Sequence, residues 1–177
     1  MPDGGLLSLS KIGHISIRPH LSLEGIPKTV TISREVDGWY ASISCADMPI
    51  QPLPPTGQGT GIDLGIEAFA TLADGARIFN PGWYRKAEQA LKTAQRRVSR
   101  RKKGSRRRRK AVALPAKAHQ TVRRQRQDFQ HKTALALVRA NDVIYHEDLQ
   151  VHNMVQHHLA KSSSDAGWSA LLSLIHI

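Results

Sequence analysis

Cysteine is almost absent from this sequence, and the single Cys45 excludes an internal disulfide and any zinc site built from cysteine pairs. Metal chemistry here must use oxygen ligands or histidine. Aromatic residues are also scarce, three each of Phe, Trp and Tyr in 177 residues, so the core that a 40% hydrophobic composition can bury is mostly aliphatic. No apolar run approaches the roughly 20 residues needed to cross a bilayer, and Met1-Pro2-Asp3-Gly4 lacks the basic start of a secretory signal. A cytoplasmic location with no membrane partner is expected. Acidic residues are the minority, 14 against 26 Lys and Arg, which excludes an acidic disordered tail and leaves a net charge of +12. Nothing in the sequence signals an oligomeric state.

The position of that charge says more than its sum. Arg85 to Lys110 holds 14 basic residues and one acid, Glu88, whereas the other 151 residues are close to neutral. Such a block is ordinarily a solvated face or a disordered arm. Here it is internal, it is richer in Arg than in Lys, and it continues into Lys117, Arg123, Arg124, Arg126 and Lys132 within a helical pattern. Arg forms bidentate pairs with phosphate that Lys cannot. Nucleic acid is therefore the expected partner. The candidate contacts on the first half of the block are Arg96, Arg97, Arg100, Arg101, Lys102 and Lys103. On the second half they are Arg106, Arg107, Arg108, Arg109 and Lys110, followed by Arg123 and Arg124.

Alternating segments precede the helical ones. Residues 12–18, 28–34 and 39–45 read as three strands of a small antiparallel meander, with Asp37-Gly38 turning between the last two. Their apolar positions are few, so this part is expected to pack against something outside the chain. A Pro/Gly-rich linker follows over 48–59. Three further strands are expected in 60–66, 68–73 and 77–79, with Asp74-Gly75 as a tight turn. A helix is predicted over 83–103, broken by Gly104-Ser105, and a second from about Arg106 to Asn141. Its apolar stripe is read as Leu114, Ala118, Val122, Phe129, Leu135 and Val138, with Pro115 kinking or restarting it. Residues 142–149 close the series as a buried strand ending in acids.

This order can join two distant carboxylates. A long crossover lets the last strand pair in parallel beside the strand at 60–66, making Asp63 and Glu147 neighbours. Asp63 lies in an otherwise apolar strand, where a lone carboxylate costs several kcal/mol unless it is paired or holds a cation. An isolated Gly-x-Asp would be a turn or cap. With Glu147 at the end of a later strand and a basic surface nearby, the expectation becomes a divalent-metal site formed by both acids. His146, His152, His157 and His158 lack the spacing of a ligand set and read as surface or local structural residues. Trp168 reads as a packing anchor and Cys45 as a small core side chain.

Several of these residues carry a family resemblance. Gly61-Ile62-Asp63-Leu64-Gly65, Ala70-Thr71-Leu72-Ala73-Asp74-Gly75, the run from Gln95 to Ser105, His119, Arg126 to Lys132, Ile144-Tyr145-His146-Glu147-Asp148-Leu149 and Asp165-Ala166-Gly167-Trp168 occur in order across 28–171. Together they resemble the OrfB/TnpB proteins of insertion sequences, RNA-guided DNA nucleases related to type V CRISPR effectors. The resemblance implies an α/β, RNase H-like (RuvC-type) nuclease domain at 60–171 with an inserted basic helical hairpin. It places residues 1–47 in a partial wedge-type barrel that holds guide RNA. It implies DNA and guide RNA as partners, Asp63 and Glu147 as catalytic metal ligands, and Mg²⁺ or Mn²⁺ as cofactor in the intact protein.

The departures are equally specific. Members have a longer N-terminal region, and after the Glu they carry a four-cysteine zinc ribbon and a final catalytic Asp, so zinc is expected only in that missing part. Asp165 is too early and stands in a different motif, and Pro115 falls where a helix-compatible residue is usual. The tail 172–177 resembles a translated sequencing adapter, so these six residues are expected to be non-native and the chain truncated at both ends. The sequence-based expectation is a catalytically incomplete fragment of a transposon-encoded, metal-dependent DNA endonuclease, with a non-catalytic basic RNA- or DNA-binding module as the alternative.

Overall fold

The computed structural model describes residues 5–49, 51–65, 67–147 and 167–176. The chain divides into one unit up to Pro52 and a second from Leu53 onward. The first unit contains two antiparallel hairpins in separate sheets, β1 (Gly5–Leu9) with β2 (Gly13–Ile17), and β3 (Ile26–Arg34) with β4 (Trp39–Ala46). This corrects the expected three-stranded meander. The strand read at 12–18 pairs backward with β1, which the sequence did not announce because Leu6-Leu7-Ser8-Leu9 lacks clean alternation. The Ser10-Lys11-Ile12 connection carries no Asn-Gly or Asp-Gly signal either. It turns by means of left-handed backbone at Lys11 and Gly13, φ 67° and 92°. The second hairpin turns at Asp37-Gly38 as expected, with the Glu35 N–H donating to the Gly38 carbonyl at 2.8 Å.

None of the described residues of this first unit is buried. Trp39 is 70% exposed, and the Arg34 guanidinium stands 5.7 Å from its ring centroid. Cys45 is half-buried.

The second unit is a four-stranded sheet covered by helices. Strands β5 (Gly59–Asp63), β6 (Ala68–Leu72) and β7 (Arg77–Phe79) run antiparallel in sequence order, and β8 (Val143–His146) lies parallel to β5. The spatial order is β7-β6-β5-β8. The Asp74-Gly75 turn forms as read, with Gly75 at φ 85° donating its N–H to the Leu72 carbonyl at 2.9 Å. Between β7 and β8 the chain makes α1 (Trp83–Ser99) and α2 (Arg106–Ala140). Gly104 in the left-handed region and Ser105 as N-cap, whose hydroxyl accepts from the Arg108 N–H at 3.1 Å, separate the two.

Helix α2 continues through Pro115 without the restart that was one of the two expectations for it. The ring removes only the one N–H that would meet the Ala111 carbonyl, and the rest of a 35-residue helix offsets that local loss. Its buried face also differs from the predicted stripe. Of the stripe, Val122 is buried and Ala118, Phe129 and Val138 are half-buried, but Leu114 and Leu135 are exposed, and Ala111, Gln120, Gln130, Thr133, Ala134 and Leu137 are buried in addition. The packing face at 130, 133, 134 and 137 has helical spacing, but it is built partly from small and polar residues because a further helix crowds it.

That further helix is α3 (Trp168–Ile175), whose Leu172, Leu174 and Ile175 lie against the core. The core itself joins Ile62, Leu64, Phe69 and Ala70 of the sheet side to Ala134 and Leu137 of α2 and to Trp168 and Leu171. Phe69 meets the Phe129 ring edge-on at a 5.0 Å centroid distance. Trp168 is fully buried and donates its indole N–H to the Phe69 carbonyl at 3.2 Å, the anchoring role read for it.

Candidate functional site

Strand β5 alternates its side chains, so Ile62 enters the core and Asp63 faces solvent. The parallel register runs Gly59 to Val143, Thr60 to Ile144, Gly61 to Tyr145 and Ile62 to His146. One further step sets Asp63 opposite Glu147. On its other side Asp63 pairs with Thr71 of β6. Both carboxylates line one open cleft of about 390 Å³ with Gly61, Ile62, Thr71, Leu72, Ala73, Tyr145 and His146. The structure thus brings together the two acids singled out in the sequence.

The expected cause is corrected, however. Asp63 is exposed at the end of its strand rather than trapped in an apolar interior, so no burial cost has to be offset there. Among the described residues no Lys or Arg lines the cleft, in a chain whose net charge is +12. Two hard oxygen donors on adjacent strand ends suit a divalent cation such as Mg²⁺ or Mn²⁺. Among the described residues no group of three His, Cys, Asp or Glu side chains comes close enough to hold a metal. Asp148 and Asp165 lie outside the described residues, as do His152, His157 and His158. His146 behaves as a local structural residue, its Nδ1 2.9 Å from the Glu147 carbonyl oxygen and its Nε2 3.4 Å from His176 Nε2.

The basic block folds into the tip of the α1–α2 hairpin. Arg96, Arg97, Arg100, Arg101, Lys102 and Arg107 line a cleft of about 820 Å³ there, with Thr93 and Ser105. Lys103, Arg106, Arg109 and Lys110 are exposed nearby, and Arg123 and Arg124 are exposed farther along α2. Arg108 is distinct. Its Nη1 donates to the Val98 and Arg101 carbonyls, both at 3.1 Å, so its charge satisfies the C-terminal end of α1. Among the described residues no helix is long and apolar enough to cross a membrane.

Sequence reasoning missed Thr71 and Tyr145 as cleft residues. Tyr145 was accessible to it, since a residue two before Glu147 shares its face of the strand. It also missed Asp142, whose carboxylate accepts from the Thr56 N–H at 2.8 Å, the Gly57 N–H at 2.7 Å and the Thr56 hydroxyl at 2.9 Å. The Thr56 and Gly57 N–H groups, then the Thr56 hydroxyl, hold its pKa below the ordinary aspartate value. A depressed folded-state pKa contributes stability that is present above the unfolded value near ~3.9 and is lost as pH falls through the folded one. The thermal midpoint should therefore drop on acidification below about pH 4, and Asp142→Asn should drop less. Equal acid limbs in scanning calorimetry would show that these bonds do not favour the folded chain.

Comparison with known proteins agrees with the resemblance. Residues 33–158 match the family model OrfB_IS605, described as "Probable transposase". A Streptomyces pristinaespiralis protein named "Putative RNA-guided DNA endonuclease" is 42% identical over 151 residues, 84% of this chain and 37% of the relative. The Escherichia coli (strain K12) protein named "Putative RNA-guided DNA endonuclease InsQ" is 32% identical over 153 residues, 86% of this chain and 38% of the relative. The chain thus spans under two fifths of the length of either relative. With most of its residues inside the family match, and with the motif-bearing strands β5 and β8 both covered, the chain belongs to the OrfB_IS605 transposase family, the OrfB/TnpB type.

Proposed function

We propose that the chain is a segment of a transposon-linked, RNA-guided, metal-dependent DNA endonuclease, in which an RNase H-like (RuvC-type) sheet presents Asp63 and Glu147 to divalent cations. The observation that carries this reading is the parallel β5–β8 register, which aligns two acids distant in sequence at one open strand end. The sheet order, with three antiparallel strands and a parallel fourth reached through helices, supports that reading. The relatives' names extend the reading to DNA and guide RNA as partners, with the hairpins of 1–47 in a wedge-type role and the basic tip of α1–α2 against phosphates.

Asp63 and Glu147 would hold Mg²⁺ or Mn²⁺. When bound, such ions activate water and stabilise the leaving oxygen of a phosphodiester. This chain's own contribution is to orient two carboxylates on neighbouring strands at one open cleft. With only these two acids assigned, affinity is weak and the chain alone does not cut DNA.

The test is thermal unfolding in a titration of Mn²⁺ and Mg²⁺. A ligand that binds only the folded state adds about 2.7 kcal/mol at a hundredfold excess over its Kd. The midpoint should rise at millimolar metal, and Asp63→Asn should abolish the rise while stabilising the metal-free chain by removing one of two like charges. In a chain extended to the relatives' full length, guided DNA cleavage should disappear with Glu147→Gln. Cleavage retained in that variant removes Glu147 from the site and leaves a basic nucleic-acid-binding module.

A further inference from the structure

We propose that Asp142 is a positioning residue, a lock that sets the register of β8 against β5 and so determines that Asp63 and Glu147 meet. The inference rests on reading those acids as a cation site. Strand β8 is only four residues long, and β5 carries glycine at 59 and 61. Short, glycine-containing strands are weakly specified in register by side-chain packing, and a one-residue slip turns every side chain to the other face. Such a slip would take Glu147 off the cleft. The connection between the two strands runs through β6, β7, α1 and α2, with no tight turn between β5 and β8 to fix their register.

The bonds just before the ladder supply what packing does not. One carboxylate oxygen of Asp142 accepts from both the N–H and the hydroxyl of Thr56, and the other accepts from the Gly57 N–H. The Asp142 and Val143 N–H groups also donate to the Gln58 carbonyl, at 2.8 and 3.4 Å. These contacts immediately precede the first ladder pair, Gly59 with Val143, and they are directional at both strands. A shift by one residue breaks all three carboxylate bonds together.

The test compares Asp142 with Asp142→Ala in the full chain, in a Cys45→Ser background, using two readouts. The first is a reporter disulfide from Gly59→Cys and Val143→Cys. A Cβ at Gly59 would lie 3.7 Å from the Val143 Cβ, within the disulfide range of about 3.5–4.5 Å. The crosslink should form readily with Asp142 and several-fold less with Asp142→Ala. The second is Mn²⁺ affinity without the reporter, which should weaken about tenfold or more in Asp142→Ala, as loss of outer-shell support does elsewhere. Oxidising the reporter in the Asp142→Ala chain should restore Mn²⁺ binding.

Equal crosslinking yields overturn the lock whatever the metal does. So does unchanged Mn²⁺ affinity in Asp142→Ala beside a binding parent, or a crosslinked variant that fails to recover it. If the parent binds no Mn²⁺, or Asp63→Asn binds as well, the cation reading fails while the crosslinking comparison still decides the lock. Should Asp142→Ala not fold, Asp142→Asn, which keeps one acceptor oxygen, carries the same comparison with a smaller difference.

Discussion

Trp168→Ala should destabilise the chain by about 3–5 kcal/mol, the range for removing a buried tryptophan from a packed core. The residue is fully enclosed, and its loss opens a cavity between the sheet and α3. It also removes the indole donor of the Phe69 carbonyl on a strand with no exposed residue. An unpaired buried carbonyl adds its own cost of about 1–3 kcal/mol, so Trp168→Phe, which keeps much of the volume, should still lose stability measurably. Gly167→Ala should act at the same joint. Gly167 is left-handed at φ 68°, its carbonyl accepts from Gln130 Nε2 at 2.9 Å, and an added Cβ meets the ends of Gln130 and Arg126. Urea unfolding gives the values directly. A loss below about 1 kcal/mol for Trp168→Ala would mean that α3 does not hold the sheet.

Affinity for single-stranded RNA should fall by roughly 300-fold to 10⁴-fold between 50 and 200 mM salt if 6–10 phosphates are neutralised. Replacing Arg106, Arg107 and Arg109 with Gln should flatten the plot of log affinity against log salt by about 2, at roughly 0.7 per contact on a single strand. Arg108→Gln should behave differently. Because its guanidinium bonds the Val98 and Arg101 carbonyls, the substitution should loosen the hairpin tip and lower affinity with little change of slope. Filter binding across a salt series separates the two. A triple variant with the parent's slope would place these arginines off the binding path, and a slope change for Arg108→Gln alone would assign it a phosphate.

Much of this arrangement is legible in the sequence where the signals are local. Strands β5 to β7 follow from short apolar runs and the Asp74-Gly75 turn, and both helices are bounded by Gly104-Ser105. The parallel placement of β8 beside β5, which brings Asp63 and Glu147 to one cleft, is an arrangement that the chain order allows, because a long crossover permits a parallel neighbour. What was not legible depends on partners remote in sequence. Leu135 fits a helical stripe as well as Leu137 does, and only the position of α3 and the sheet decides which is buried. Asp63 looked buried because its neighbours are apolar, yet the strand ends there and its side chain faces out. Arg108 is indistinguishable from the arginines beside it until the turn brings it back to the end of α1. The contact of Asp142 with Thr56 spans 86 residues and leaves no periodic trace.

That long span bears on the order in which the protein acquires its parts during synthesis. The contacts of the α1–α2 hairpin are local and close quickly, whereas the β5–β8 ladder has to wait for a loop of more than eighty residues to be made and closed. Until then β5 has only β6 beside it, with Thr71 opposite Asp63. A nascent chain that ends before β8 therefore carries its whole cationic tip and only one member of the acid pair, Asp63. On the proposed reading of that tip as a phosphate-binding surface, the emerging polypeptide would meet a polyanion before the paired carboxylates exist to act on it.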